Sequence, residues 1–112
     1  MKLSLKRERV DQILSKFSKK RVLIFGDVGV DKYTHGKVSR ISPEAPIPIV
    51  EVEKVQFKLG LAANVADNIQ SLGGIPLLVG VVGKDLGAHD FRHLISQSGI
   101  SGKYLVVDKN RK

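Results

Sequence analysis

Two carboxylates, Asp27 and Asp31, follow a short apolar run, Val22-Leu23-Ile24-Phe25, that ends in Gly26. A strand of an open α/β sheet at that run would place both acids near its carboxyl end, where such sheets bind ligands. An ionised carboxylate accepts hydrogen bonds from two hydroxyls at once, which suits a sugar, and an Asp after a strand equally serves as a turn or cap. The spacing leaves both readings open. The second cluster is Gly60-Leu61-Ala62-Ala63-Asn64-Val65-Ala66-Asp67-Asn68-Ile69-Gln70-Ser71-Leu72-Gly73, a glycine-led helix carrying two asparagines. Gly60 permits close backbone approach, the first amides of a helix lack internal partners, and Asn64 offers both donor and acceptor. Asn68 falls one turn later on the same side, to support Asn64 or to face solvent. Such a helix start fits an oxygen-rich ligand, or a tight turn with ordinary packing.

Other reactive-looking residues carry less. His89-Asp90-Phe91-Arg92-His93 spaces two histidines one helical turn apart, but an Asp stands where a zinc protease has its Glu base and no third ligand is near, so no metal site is expected. Gly83-Lys84-Asp85 mimics the end of a phosphate-binding loop, yet Leu78 replaces the required glycine and Asp85 the Ser/Thr. There is no Ser-centred nucleophile elbow and no carboxylate pair with evident acid/base roles.

The elements that must hold these residues are readable from periodicity. Val10, Ile13, Leu14 and Phe17 recur at helical spacing, giving an amphipathic leader helix over 3–18, which lies on its own domain or docks a partner. Val22–Phe25 reads as a first parallel strand buried on both faces. Between Asp31 and Lys58 a β-branched alternation of Ile47, Val50, Val52 and Val55 is interrupted by Pro43, Pro46 and Pro48, which predicts a small edge sheet or flap. The helix from Gly60 to Leu72 should bury Leu61, Val65, Ile69 and Leu72 and stop at Gly73-Gly74. Pro76–Val82 predicts a strand, Leu86–Gln97 a helix burying Phe91, Leu94 and Ile95, and Tyr104–Val107 a last strand. Strand, flap, helix, strand, helix, strand is the beginning of a doubly wound, mostly parallel α/β domain.

Composition narrows the partners. The 112 residues allow at most one small domain. The net charge of +8 is concentrated at the ends: residues 1–21 hold eight Lys/Arg against two acids, 103–112 four against one, and 22–102 seven against eight. Basic ends without interleaved aromatics do not make a nucleic-acid surface. No apolar run is long enough to span a membrane, and none follows the basic start as a secretory signal would require. Zero cysteines suits a reducing cytoplasm, the expected location.

Taken together, Gly26-Asp27-Val28-Gly29-Val30-Asp31, Ser39-Arg40-Ile41-Ser42-Pro43-Glu44-Ala45-Pro46-Ile47-Pro48 and Gly60–Gly73 resemble the ribokinase-like (PfkB) carbohydrate kinases. The middle block resembles the branch that acts on D-glycero-β-D-manno-heptose 7-phosphate, including the kinase half of bifunctional enzymes that also carry an adenylyltransferase. The resemblance covers roughly residues 21–107, its blocks in family order. It implies that Asp31, Gly60 and Asn64 line a sugar pocket, to which position alone, at the end of the first strand, adds Asp27. It also implies that 32–58 forms a β lid, which often makes a homodimer clasp, and that the complete enzyme uses ATP and Mg2+ to phosphorylate the anomeric hydroxyl for ADP-heptose and lipopolysaccharide synthesis. Two positions depart from the pattern: Leu61 stands where a second glycine is usual, and Gly29 where a bulkier apolar residue is usual. Leu61 is therefore expected to crowd the pocket.

The resemblance places the catalytic Asp in a Gly-Ala-Gly-Asp motif and the nucleotide site in the later part of the domain, and neither occurs in these residues. The chain is thus expected to be an incomplete domain, leader helix over 1–20 and kinase portion over 21–112, that binds sugar phosphate without phosphorylating it. The alternatives are a noncatalytic sugar-phosphate-binding or oligomerisation module, and a truncated gene product.

Overall fold

The computed structural model describes residues 4–112, so the first residues of the leader segment, 1–3, lie outside the described residues. Helix α1 (Arg7–Ser15) is shorter than the expected 3–18 and is followed by a single 3-10 turn, Phe17–Lys19. None of its residues is buried: Val10 is half-buried, and Ile13 and Leu14 are exposed. The chain continues through β1 (Arg21–Phe25), β2 (Val28–Ile41), β3 (Pro48–Leu61), α2 (Ala62–Ser71), β4 (Ile75–Val82), α3 (Leu86–Gln97) and β5 (Leu105–Val107).

Strands β1, β4 and β5 form a parallel sheet in that spatial order, with Arg21 opposite Ile75 and Gly80 opposite Leu105. Both crossovers move across the sheet in one direction, and right-handed crossovers moving in one direction lay their helices on the same face. The core accordingly lies on one side: Ile24, Leu78 and Val82 pack with Ala63, Ala66, Phe91, Ile95 and Ile100. This corrects the expectation for β1, which is buried on one face only. Leu23 and Phe25 point to the opposite side and are 66% and 82% exposed. A second winding, which would cover that face, needs a strand on the far side of β1, and none is present among the described residues.

Helix α2 also differs from expectation. It begins at Ala62, so Gly60 and Leu61 end a strand instead of opening a helix. Its buried residues are Ala63 and Ala66, fully excluded from solvent, while Leu61, Val65 and Leu72 are exposed. Alanines at i and i+3 let the helix axis approach β4 more closely than Val or Leu would allow, and that approach fixes which face turns inward. The helix stops at Gly73, whose φ of 93° is left-handed and natural only for glycine. Helix α3 has the expected bounds and buries Phe91 and Ile95, with Leu94 half-buried. Asp85 caps it by accepting from the Ala88 amide at 2.9 Å, and Gln70 of α2 donates to the Ser98 carbonyl at its end.

Strands β2 and β3 form the flap, an antiparallel hairpin with Val28 opposite Leu61 and Ile41 opposite Pro48. It is longer than 32–58 because its base reaches into the core through Val28, Val30 and Leu59. Pro43 and Pro46 fall in the connecting turn and Pro48 at the first position of β3, where the missing amide breaks no ladder. Two bulges, between His35 and Gly36 and between Val38 and Arg40, bend the ribbon. The radius of gyration is 19.5 Å, against roughly 13–14 Å for a compact chain of this length, so the hairpin projects from the sheet as a lid would.

Candidate functional site

The base of the hairpin and the start of α2 enclose a cleft lined by Asp31, Tyr33, Phe57, Lys58, Leu59, Asn64, Asp67, Leu94 and Ser98. At about 240 Å³ it is smaller than the ~300–1,000 Å³ of typical closed ligand pockets, and it is partly open to solvent. Asp31 and Asn64 thus share one cleft although 33 positions separate them, β2 supplying the carboxylate and α2 the amide.

Asp31 reaches the cleft because of a glycine. Gly29 and Gly60 are directly opposite each other in the hairpin, and Asp31 follows two residues later on the same face. A β-carbon at Gly60 would lie 2.7 Å from Asp31 Oδ1 and 2.9 Å from its Cγ, so the missing side chain is the space the carboxylate occupies. Lys58 is the cross-strand partner of Asp31, but its Nζ sits 5.1 Å from the centroid of the Tyr33 ring. Among the described residues no ion pair engages Asp31. Its oxygens remain able to accept from a ligand.

Asp27 lies outside this cleft, contrary to its expected place beside Asp31. Its carbonyl accepts from the Ala62 amide at 2.9 Å and its carboxylate accepts from Arg111 at 3.2 Å. The Ala62 bond takes the first amide of α2, which is therefore not free for a ligand. Around Asp27 the segment after β5 folds back: Asp108 donates to the Val82 carbonyl at 2.9 Å, and the backbone at Arg111 covers Gly83. Asn68 is exposed and does not line the cleft.

Sequence reasoning missed Tyr33, Lys58, Asp67 and Ser98. Asp67 had a signal, since it stands three residues after Asn64 on a helix and shares its face. Lys58 and Tyr33 follow only from the hairpin register, and Ser98 only from the packing of α3 beside α2. Leu61 has φ 54° and ψ −132°, the only non-glycine with positive φ among the described residues. Among those residues no group of three or more His, Cys, Asp or Glu side chains could hold a metal ion. No helix among them is long and apolar enough to cross a membrane.

Comparison with known proteins bears on this arrangement. Residues 19–112 match the family described as pfkB family carbohydrate kinase. The chain is 44% identical over 95 residues to the bifunctional protein HldE of Pseudomonas aeruginosa (strain LESB58), covering 85% of this chain and 20% of that one. It is 46% identical over 87 residues to HldE of Azotobacter vinelandii, covering 78% of this chain and 18% of that one. The chain thus spans about a fifth of the length of the curated relatives it matches. Among solved structures, the fructokinase of Xylella fastidiosa superposes with a TM-score of 0.58 at 23% identity, covering 81% of this chain and 26% of that one. The nucleoside kinase of Methanocaldococcus jannaschii superposes with a TM-score of 0.55 at 18% identity, covering 81% and 29%. At such identities these two likenesses concern the fold.

Proposed function

Because the chain belongs to the pfkB family of carbohydrate kinases, we propose that it forms the sugar-binding part of an ATP-dependent heptose 7-phosphate kinase. That enzyme would phosphorylate the anomeric hydroxyl in the cytoplasm, on the route to ADP-heptose and the lipopolysaccharide core. The observation that carries the reading is the shared cleft in which the unpaired Asp31 carboxylate faces the same space as Asn64. In this reading Asp31 accepts from two sugar hydroxyls and Asn64 donates to or accepts from a third, while Gly60, which does not itself line the cleft, leaves the room that the Asp31 carboxylate occupies. Asp27 takes a positioning part, holding the start of α2 through its carbonyl.

In this reading these residues bind and orient, and the proton of the hydroxyl goes to the catalytic Asp that the family resemblance implies elsewhere in the complete enzyme. ATP would supply the phosphoryl group and Mg2+ the charge neutralisation, both implied by the family for the complete enzyme. Phosphoryl transfer depends on positioning both reactants, so the 112 residues alone are expected to bind sugar phosphate and transfer nothing. Calorimetry with heptose 7-phosphate on the full-length protein tests the reading. Asp31→Asn should weaken binding about 10- to 100-fold, the scale of a charged hydrogen bond. Unchanged affinity in that variant would count against it.

A homodimer clasp through the hairpin is favoured by a separate observation. Register and alternation put Val38, Val50, Val52, Val55 and Phe57 on one face of the ribbon, all of them exposed. An apolar face on a projecting two-stranded sheet is suited to a second copy of itself.

A further inference from the structure

We propose that Leu61, which stands outside the residues lining the sugar cleft, is a specificity-determining residue at its edge, its side chain forming an apolar wall across the Gly29–Gly60 pair from the Asp31 carboxylate. Strand alternation would send Leu61 to the same face as its partner Val28, toward the core. Its φ of 54° and ψ of −132° turn it away instead, and it is 64% exposed. The side chain lies over Gly29: a β-carbon at Gly29 would meet Leu61 Cδ1 at 3.2 Å and Cγ at 3.5 Å. Gly29 and Asp31 share one face of β2, so Leu61 and the Asp31 carboxylate stand on the same side of the ribbon, flanking the Gly29–Gly60 pair.

The two glycines are therefore filled reciprocally, Gly60 by Asp31 and Gly29 by Leu61. A leucine in this backbone region is strained, because its β-carbon crowds the neighbouring carbonyl as glycine's hydrogen does not. Strain of this kind persists where the surroundings over-determine it, and it gathers at ligand sites. Here the strain has a visible product, since it carries an apolar side chain onto the ligand-facing side of the hairpin. A ligand bound through Asp31 meets that side chain, and ligands with bulk toward Gly29 are excluded. This role rests on the sugar-site reading given above.

The test uses the full-length protein, its Leu61→Gly and Leu61→Ala variants and Asp31→Asn, titrated calorimetrically with heptose 7-phosphate and with adenosine as a bulkier ribose-bearing probe. Both Leu61 variants should raise the affinity for adenosine relative to heptose 7-phosphate by about tenfold or more, the scale of filling or emptying a few methylenes. Binding by the Leu61 variants where the parent binds nothing would support the wall equally. An unchanged ratio in both variants, with Asp31→Asn still weakening the binding of heptose 7-phosphate, overturns the role of Leu61 and leaves the sugar site standing. No binding by parent and Leu61 variants alike overturns both. Thermal melting supplies the second readout: with positive φ at position 61, the Gly variant should melt several degrees above the Ala variant, reversing their usual order. An Ala variant that melts at or above the Gly variant contradicts the strained geometry on which the wall depends.

Discussion

Gly60 and Asp31 act as one unit at the residue scale, because the carboxylate occupies the place of the missing side chain. Gly60→Ala adds a carbon 2.7 Å from Asp31 Oδ1, yet the atom it meets is the end of a side chain that can swing aside. Gly60 does not have a left-handed φ, so alanine fits its backbone. The expected outcome is a protein that melts near the parent but binds heptose 7-phosphate at least about tenfold more weakly, its charged acceptor displaced. Calorimetry beside a melting curve checks this, and a large drop in melting temperature with affinity retained would contradict it. Gly60, Asn64 and Asp31 were legible as types suited to a sugar. That Asp31 and Asn64 share a cleft was legible only through the family resemblance, since no local pattern joins β2 to α2. Asp27 shows the opposite case. It has the same chemistry as Asp31, but a contact with Arg111, 84 residues away, draws its carboxylate elsewhere, and no short-range rule reports such a contact.

At the scale of elements, α2 is set by its smallest residues. Ala63 and Ala66 are fully buried against β4 and no larger side chain fits there without moving the helix. Ala66→Leu is expected to destabilise by about 1–3 kcal/mol in denaturant unfolding, whereas Val65→Ala, on the exposed side, should cost well under that. Equal costs would mean that the helix is turned as the sequence pattern first indicated, with Val65 inward. Apolar periodicity counts Val, Leu and Ile heavily and Ala lightly, which is why α2 was located correctly and rotated wrongly. Helix α3 carries its large residues, Phe91 and Ile95, on the buried side, and there pattern and packing agree. Its cap is equally local: Asp85→Ala should cost about 1 kcal/mol by the same measurement.

The whole molecule is a one-sided sheet with a projecting hairpin. Leu23 and Phe25 of β1 and the apolar face of the hairpin are both open, for different reasons. The first follows from crossovers that run in one direction, the second from a ribbon that leaves the sheet altogether. Alternation of Val and Ile announced the flap, and Pro43, Pro46 and Pro48 marked its tip; its reach into the core at Val28, Val30 and Leu59 depended on long-range packing. If the hairpin clasps a second copy, Val52→Lys in the full-length protein places a charge in the shared face. Sedimentation should then show the dimer of the parent lost, while an unaltered dimer would exclude that face as the contact.

On the proposed reading, Asp31 and Asn64 hold one sugar between β2 and α2. A crystal structure of the full-length protein with heptose 7-phosphate tests it most directly. Sugar hydroxyls should lie within about 3 Å of the Asp31 carboxylate and of the Asn64 amide. Sugar bound elsewhere, with Asp31 and Asn64 touching only solvent, would contradict it.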